Sequence, residues 1–375
     1  MKLTFDWREW RNRLIARPGF QRWAADFPLT RPIAQRRARS LFDLTAGFVY
    51  SQILYACVEL ELIDLLAEGP LARSALAPRM GMTEPQADRL LRAAVALDLL
   101  ERRGVDAEGS PCFGLGNHGA AMLANPGIAA MIKHHQMLYR DLEDPLALLR
   151  GEQTETELGR YWAYARSLDP AREDAASVRE YSDLMSVSNA FVAGDVLDAY
   201  SLRPHRCLMD VGGGEGNFLL AVAERWPHLQ LRLFDLPAVA ERAQQRFDAL
   251  GLGERAEAVG GDLLRTPLPK GADLCSLVRV VHDHDDDQAL RILRAVRAAL
   301  EPGGTLLLAE PMAETPGAEP IGDAYFGLYL LAMGSGRPRP PQELEAMLRE
   351  AGFGGVQLRP TRRPMQTRLL VATAV

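Results

Sequence analysis

The sequence predicts an α/β protein in which a helical N-terminal region precedes a Rossmann-like, doubly wound parallel sheet. Before Pro204 the hydrophobic pattern is helical almost throughout, and after it short apolar runs alternate with helix-like segments. The runs are RCLMDVGGG, LQLRLFDLP, ADLCSLVRVV and GTLLLAEPM. Strands that alternate with helices favour a parallel sheet covered by helices on both faces. Two closing strands are predicted in AGFGGVQLRP and RLLVATAV.

The composition is typical of a globular protein. The chain has 375 residues, 47% of them hydrophobic and 25% charged, which favours two domains with a sizeable core. A net charge of -6 weighs against nucleic acid as a partner, because phosphate binding needs a basic field. The four cysteines show no CxxC spacing, so neither a zinc site nor a disulfide framework is indicated. We therefore expect a cytoplasmic protein.

Residues 1–40 are predicted to form a basic and aromatic arm. Nine arginines stand among few acids, and apolar residues recur at helical spacing on both sides of a Pro-Gly break. These residues are Trp7, Trp10, Leu14, Phe20, Trp23 and Phe27. A basic helix with an aromatic face can lie in a membrane interface, which would give residues 1–30 a peripheral contact with a membrane. The same pattern fits an arm that packs on a partner subunit, and both interpretations stay open.

Residues 41–170 are predicted to form an all-helical, winged-helix-like dimerisation domain, followed by a C-terminal domain over 171–375. Polar and charged residues interrupt the apolar stretch 41–66, so we interpret it as a buried or dimer-forming helix rather than a membrane span. Residues 71–104 predict two short helices and a longer one, and GVDAEGSPCFGLG predicts a hairpin. A DNA-recognition helix needs a basic face, but acids outnumber arginines on the third helix. We therefore expect dimerisation there and no nucleic acid.

A glycine-rich turn, DVGGGEG, follows the first strand of the C-terminal domain. Glycines such as Gly212 and Gly214 let the backbone approach a nucleotide-like ligand at the N-terminus of the next helix. The second strand ends at Asp235, whose carboxylate can accept hydrogen bonds from both hydroxyls of a ribose. The exit of the third strand supplies Asp262 and Leu263, which are placed to flank an adenine ring. These residues predict an adenosine-containing ligand.

The spacing of the glycines helps to separate two ligands that both contain adenosine. A GxGxxG fingerprint that begins at Gly212 requires glycine at position 217, where this chain has Asn217. The usual pyrophosphate turn is therefore missing, which favours S-adenosylmethionine over a dinucleotide. A turn that only packs a helix on a strand is the remaining interpretation.

The fourth strand ends in RVVHDHDDD, which places two histidines and four aspartates within six residues. Metal ligands must converge on one point, whereas 285–287 suit the N-terminus of a helix, so we predict no metal site. His282 is instead predicted to be a general base at the carboxyl edge of the sheet. Glu310 closes the next strand and is placed to hold the imidazole tautomer.

Several segments resemble the plant-type and bacterial small-molecule O-methyltransferases, the family that methylates caffeate and acetylserotonin. These segments are DVGGGEGNF, FDLP, GGDLL, RVVHDHDDDQALRIL, LLLAEPM and EAMLREAGF. The N-terminal RPGFQRWAADFPLTRPIAQRRARSLFDLTAGFVYSQIL looks most like the bacterial members that methylate the carotenoids hydroxyneurosporene and demethylspheroidene. The resemblance implies a homodimeric O-methyltransferase with a class I sheet, S-adenosylmethionine as methyl donor and a hydroxycarotenoid as acceptor.

The resemblance also implies roles for individual residues. His282 matches the catalytic base of the family, and Glu310 matches the first of two acids that support it. The positions that match its donor contacts are Gly212, Asp235, Asp262 and Leu263. Met185 matches a methionine that lines the acceptor pocket.

The chain departs from the plant pattern at three positions. His284 stands where tryptophan is usual, and Val278 replaces a lysine that contacts the donor, a contact that Arg279 is predicted to supply. Pro338 falls where the second supporting acid is expected, which leaves the strength of the base open.

The run 321–333 offers apolar positions at helical spacing, and we predict that Tyr325 and Tyr329 line the acceptor pocket. An ordinary core helix fits the run equally well. Other acceptors stay open as well, namely a phenol, an aromatic polyketide or a bacteriochlorophyll carbon. Outside the enzyme class, the alternatives are a winged-helix regulator and a donor-binding protein without activity.

Overall fold

In the computed structural model, which describes residues 6–167 and 192–375, the chain divides into an N-terminal unit over 1–124 and a C-terminal unit over 125–375. The helices of the N-terminal unit are α1 (Trp7–Ile15), α2 (Pro18–Asp26), α3 (Arg31–Glu59), α4 (Leu62–Leu65), α5 (Arg73–Arg79), α6 (Glu84–Ala96) and α7 (Asn117–Leu123). Its strands are β1 (Leu71–Ala72), β2 (Leu100–Val105) and β3 (Pro111–Leu115).

The predicted winged-helix outline is present in this unit, but the region is not purely helical. The strands form an antiparallel sheet in the order β1-β3-β2, and β2 and β3 are the predicted hairpin. Asp106 tightens its turn, because its carboxylate accepts the backbone N–H groups of Glu108 and Ser110. Helix α6 begins with a capping box between Thr83 and Gln86, as its sequence favours.

Helix α3 runs without a break across residue 40, the predicted end of the arm. It is long and apolar enough to cross a membrane by length and composition only, and 11% of its most apolar window is buried. The predicted boundaries after residues 40 and 170 stay predictions.

The C-terminal unit begins with helices that precede the sheet, which are α8 (Pro126–Asp141), α9 (Pro145–Leu149), α10 (Glu157–Ser167) and α11 (192–199). Its strands are β4 (Cys207–Val211), β5 (Gln230–Asp235), β6 (Ala256–Gly260), β7 (Leu274–Val278), β8 (Thr305–Glu310), β9 (Phe353–Arg359) and β10 (Arg368–Ala374). The remaining helices are α12 (Asn217–Arg225), α13 (Pro237–Ala249), α14 (Asp286–Ala299), α15 (Gly327–Met333) and α16 (Pro341–Glu350).

The seven strands form one sheet in the order β6-β5-β4-β7-β8-β10-β9. The first five are parallel, and β10 pairs antiparallel with both β8 and β9. Two clusters of buried apolar side chains contain residues of both the sheet and its helices, which explains why the inner strands are nearly continuous apolar runs. The predicted doubly wound fold is confirmed.

The strand order reverses between β4 and β7, the point where parallel sheets of this kind bind ligands outside the carboxyl ends of their strands. The glycine turn follows β4, and the turn that carries His282 follows β7, so neighbouring strands place the two predicted motifs at one edge. The fold therefore brings together residues about 70 positions apart in the chain.

Candidate active site

The glycine turn after β4 requires glycine for steric reasons. Gly212 has a φ of +71°, and a Cβ atom built on it would lie 2.9 Å from Cγ2 of Val280. A Cβ atom on Gly213 would lie 2.4 Å from Oδ2 of Asp210. The turn therefore packs closely against the end of β4 on one side and against the histidine turn on the other.

Asp210 lies beneath this turn and is fully buried. Its Oδ1 accepts the Ser276 hydroxyl at 2.6 Å, whereas Oδ2 has no hydrogen-bond partner among the described residues. Burial raises the pKa of Asp210 to about 7. A buried oxygen without a partner is uncommon in folded proteins, so this atom indicates that a donor group belongs beside the turn.

Asp235, at the end of β5, meets the turn as predicted. Its Oδ2 accepts the backbone N–H of Gly214 at 2.8 Å, and its Oδ1 accepts that of Leu236 at 2.7 Å. Burial raises the pKa of this carboxyl. Each carboxylate oxygen has a second lone pair, so hydroxyl groups of a ligand can still be accepted.

The exit of β6 contributes the next two predicted residues. The side chain of Leu263 approaches the turn, since its Cδ1 lies 3.5 Å from a Cβ built on Gly212. Asp262 stabilises its own loop through Oδ1, which accepts the backbone N–H of Leu264 at 2.8 Å. The structure thus brings the predicted donor residues Gly212, Gly214, Asp235 and Leu263 together, with Asp262 adjacent in the chain.

His282 lies on a single 3-10 turn, Val281–Asp283, and its ring is 6% exposed. Its Nδ1 is hydrogen-bonded to Oε2 of Glu310, the residue predicted to support it. The other oxygen of Glu310 accepts the backbone N–H groups of Val280 at 3.1 Å and Val281 at 2.7 Å. One carboxylate at the end of β8 therefore fixes both the imidazole and the turn that carries it.

A second carboxylate lies on the other side of the imidazole. Oδ1 of Asp283 is 3.2 Å from Nε2 of His282. Burial lowers the pKa of His282, but the charges of Glu310 and Asp283 outweigh burial and raise it above its ordinary value. Asp283, the residue that follows His282 in the chain, therefore places a carboxylate near the ring, whereas Pro338 supplies none.

Arg339, which follows Pro338, is hydrogen-bonded to the backbone of the turn that carries His282. Its guanidinium is 1% exposed and donates to the backbone carbonyl oxygens of Val281 at 3.0 Å and His284 at 2.7 Å. It also pairs with Asp286 at 2.7 Å. Arg339 therefore fixes the backbone on both sides of His282, a role that the sequence did not indicate.

The acidic run after His282 shows no metal site. Asp285 is the N-cap residue of α14 as predicted, but its carboxylate accepts the backbone N–H of Gly336 instead of capping the helix. His284, in the position of the usual tryptophan, contacts Gln288 at 3.2 Å. Across 6–167 and 192–375, no three histidine, cysteine or carboxylate side chains converge as a metal ion requires.

A cavity of about 40 Å³ opens beside His282. Its described lining is mostly aromatic and apolar, and consists of Met131, Trp162, Arg279, His282, Asp283, Tyr325, Phe326, Tyr329, Leu330 and Met333. The run 321–333 supplies half of these residues, through a π-helix (Pro320–Phe326) and α15. It is therefore more than a core helix, and π-helices are frequent at functional sites.

Of the remaining predicted residues, three line the cavity and one lies outside the described residues. Tyr325 and Tyr329 share the cavity with His282. Arg279, predicted to contact the donor, also lines this cavity and has a φ of +58°. Met185 lies outside the described residues.

Sequence reasoning missed three polar residues around the cavity, His134 and His135 of α8 and Trp162 of α10. His134 Nε2 lies 2.8 Å from the Tyr329 hydroxyl, and His135 Nε2 lies 2.6 Å from that of Tyr325. Only the adjacent histidines offered a signal, because the residues they meet are 190 or more positions away.

The glycine turn with Asp235 forms one half of the site, and the histidine turn with its cavity forms the other. Together with the Rossmann-like sheet, these halves define a class of protein, a transferase that can hold a nucleoside-containing donor beside a general base. A family model described as an O-methyltransferase domain matches residues 139–354, and one described as an O-methyltransferase dimerisation domain matches residues 42–125. The chain belongs to the O-methyltransferase family. It is an S-adenosylmethionine-dependent O-methyltransferase.

Two relatives and two solved structures show how far the similarity extends. The chain is 44% identical to the demethylspheroidene O-methyltransferase of Cereibacter sphaeroides over 94% of this chain and 91% of the relative. It is 41% identical to the demethylspheroidene O-methyltransferase of Rhodobacter capsulatus, over 92% of this chain and 84% of the relative. Human N-acetylserotonin methyltransferase in complex with SAM superposes with a TM-score of 0.74, at 25% identity over 90% and 97%. The structure of the mitomycin 7-O-methyltransferase MmcR superposes with a TM-score of 0.74, at 26% identity over 92% of this chain and 100% of that one.

Proposed function

We propose that this enzyme transfers a methyl group to the hydroxyl of a hydroxycarotenoid in carotenoid biosynthesis. The observation that carries the proposal is the cavity at His282, whose described lining is aromatic and apolar apart from a few polar groups. The demethylspheroidene enzymes, 44% and 41% identical to this chain, support it by their names. At about 40 Å³ the described cavity admits only the reacting end of an acceptor, and its lining favours a hydroxyl carried on an apolar chain.

We propose that the glycine turn, Asp235 and Leu263 hold S-adenosylmethionine. When bound, this donor supplies an electrophilic methyl group on a positively charged sulfur. The residues fit such a molecule, because Asp235 can accept ribose hydroxyls and the unpartnered oxygen of Asp210 suits a nearby N–H donor. The glycine turn passes close to the histidine turn, since a Cβ atom built on Gly212 would lie 2.9 Å from Cγ2 of Val280, and this closeness supports a donor that lies beside His282.

We propose that His282 is the general base. Glu310 accepts the proton on Nδ1, so Nε2 carries the lone pair that receives the acceptor's proton, and the Asp283 carboxylate 3.2 Å from Nε2 then stabilises the imidazolium that forms. An aliphatic alcohol is too weak an acid for imidazole to ionise beforehand, so His282 takes the proton as the new C–O bond forms. Alignment of the two reactants supplies roughly 7–11 kcal/mol, and the base adds a factor of about 10²–10⁴.

The acceptor proposal is tested by incubation with donor labelled in the methyl group and a panel of hydroxycarotenoids, phenols and bacteriochlorophyll precursors. We expect a mass increase of one methyl group on a hydroxycarotenoid. Methylation of a phenol or a ring carbon, with no product from hydroxycarotenoids, would contradict the proposal.

We propose that this reaction needs no metal ion. The support is the pair formed by His282 and Glu310, which provides a base without a Lewis acid. We expect unchanged turnover after exhaustive treatment with EDTA. A loss of activity that Mg²⁺ or Zn²⁺ restores would contradict this proposal.

We propose that two copies of the chain associate through the N-terminal unit. The match to a dimerisation domain over residues 42–125 supports a homodimer. Helix α3 carries large apolar side chains that are 63–80% exposed, namely Leu41, Phe42, Leu44 and Phe48. Light scattering should give twice the chain mass, and Phe48→Asp should shift it toward one chain mass. A single-chain mass for the wild type would contradict the proposal.

We propose that the arm makes a peripheral contact with an anionic membrane. Helices α1 and α2 bury none of their side chains, and Trp7, Trp10 and Trp23 are each 50–55% exposed. Arginines are interleaved with these rings, and the guanidinium of Arg11 lies 5.2 Å from the ring centroid of Trp7. Exposed aromatics beside basic side chains suit an interface of apolar chains and anionic headgroups.

Vesicle sedimentation tests the membrane contact. Deletion of residues 1–30 should abolish binding to vesicles that contain anionic lipid, and the wild type should bind less at high salt. Unchanged binding after the deletion would contradict the proposal.

A further inference from the structure

Two tyrosines in the wall of the cavity are each engaged with a histidine of α8. The Tyr325 hydroxyl meets His135 Nε2 at 2.6 Å, and the Tyr329 hydroxyl meets His134 Nε2 at 2.8 Å. The tyrosine rings line the cavity, whereas neither histidine belongs to its lining. The phenol oxygens are therefore engaged within the protein, and the Tyr325 hydroxyl also contacts Sδ of Met131 at 3.8 Å.

Tyr329 has little hydrogen-bonding capacity left for a ligand. The indole N–H of Trp162 donates to its oxygen at 3.0 Å, and we assign the phenol O–H as the donor to Nε2 of His134, which lies 2.8 Å away. Trp162 also lines the cavity, so its N–H is committed to the same contact. A phenol has one proton to give, and that proton is used within the protein.

Burial favours the neutral form of both histidines. Burial lowers the pKa of His134 to about 4, with a further decrease from His135, and burial also lowers the pKa of His135. A neutral imidazole has one nitrogen that accepts a hydrogen bond, so it can take a phenol proton. Ring contacts reinforce the pairs, with centroids 5.5 Å apart for His135 and Tyr325.

We propose that His134 and His135 are positioning residues that determine acceptor specificity, because they turn the hydroxyls of Tyr329 and Tyr325 away from the acceptor. The wall then presents aromatic carbon to the bound molecule. Polar contact is left to the ionisable side chains of the lining, His282, Asp283 and Arg279. This inference rests on the proposed function and specifies its substrate class, an acceptor with one hydroxyl at the reacting end and an apolar body behind it.

The consequence for a more polar acceptor is a loss of affinity. A second hydroxyl placed against the wall gives up its hydrogen bonds to water and meets aromatic carbon instead. A pocket without a partner for an added hydroxyl discriminates by up to about 10²-fold. If a histidine is removed, a phenol hydroxyl becomes available and this discrimination should decrease.

The test compares a monohydroxylated acyclic carotenoid with the same polyene carrying a vicinal diol. For His135→Phe we expect the preference for the mono-alcohol, as a ratio of kcat/KM values, to fall about tenfold, mainly through KM. Tyr325→Phe should keep the ratio, because the wall stays apolar. The double variant His135→Phe/Tyr325→Phe should restore it, because both polar partners are then removed together.

Two results would overturn the inference, namely an unchanged ratio in His135→Phe and a double variant that stays as unselective as the single one. The binding ratio of the two polyenes, measured by equilibrium titration in the presence of S-adenosylhomocysteine, gives the same comparison without turnover. An absence of methyl transfer to either polyene would refute the proposed function, whereas the binding ratio would still decide whether the histidines set specificity.

Discussion

The donor half and the acceptor half of this site lie side by side but are built in different ways. The donor half comes from turns that follow successive parallel strands, so Gly212, Asp235 and Leu263 each stand at the end of a strand. The acceptor half comes from helices that are distant in the chain, since Tyr329 meets a histidine 195 positions away. The residues of the donor half can therefore be found from local sequence motifs, whereas the residues of the acceptor half are brought together by helix packing.

The first prediction addresses the residue that connects the two halves. Glu310→Gln keeps the shape of the side chain but removes the charge that orients His282, so turnover should fall by a factor of about 10²–10⁴. Donor affinity, measured by calorimetry, should change little because the hydrogen bonds of Glu310 go to the histidine turn. Turnover within a few-fold of the wild type would show that the carboxylate does not support the base.

A substitution in the glycine turn should damage the donor half alone. Gly213→Ala places a methyl group 2.4 Å from the Asp210 carboxylate, so the turn must shift. We expect donor affinity to weaken by about 10²-fold, the effect of a misplacement of about 1 Å. Gly194→Ala is the matched control, because a Cβ there meets nothing within 4 Å. Equal donor affinity in the two variants would contradict the role of the turn.

The pH dependence of turnover reports the charge around the imidazole. The pKa of His282 is raised, so its neutral, active form is lost as the pH falls through that raised pKa. We expect the acidic limb of the kcat profile above the ordinary histidine value of about 6.5. Asp283→Asn removes one of the charges that raise the pKa and should move the limb to lower pH. A limb that stays in place would show that Asp283 does not act on the ring.

Substitution of Arg339 is expected to have the smallest effect, which should appear both in the free energy of unfolding and in turnover. Arg339→Met leaves the carbonyl oxygens of Val281 and His284 without their donor, which should cost about 1–3 kcal/mol in the free energy of unfolding. Turnover should fall as well, because the turn that carries His282 loosens. The control is Arg337→Met, whose partner Asp286 is the same but whose side chain is 44% exposed. Equal unfolding transitions for the two variants would contradict the argument.

The difference between the halves also explains what could be predicted from the sequence. Strand ends carry their chemistry in order along the chain, so the sheet, the glycine turn, Asp235 and the pairing of His282 with Glu310 followed from motifs. The contacts of His134, His135 and Trp162 did not, because no local pattern shows which helix faces which. Arg339 was missed for a related reason, since two of its partners are backbone carbonyl oxygens, which leave no trace in the sequence, and the third, Asp286, is 53 positions away.

The position of Arg279 depends on backbone geometry that the sequence does not show. It directly follows the last residue of β7, and its side chain lines the acceptor cavity. A positive φ at this residue changes the direction of the chain just before the histidine turn. Backbone geometry of this kind is set by tertiary packing, so spacing alone did not indicate the contact with the cavity, and the contact with the donor stays a prediction.

The central claim is that His282 accepts the proton of the acceptor beside the donor, without holding the donor itself. It is tested most directly by His282→Ala, with methyl transfer followed by mass spectrometry and donor binding followed by calorimetry. In His282→Ala, turnover should fall by about 10²–10⁴-fold while the Kd of the donor stays within about twofold of the wild-type value. Unchanged turnover, or a donor affinity that falls as far as turnover does, would contradict it.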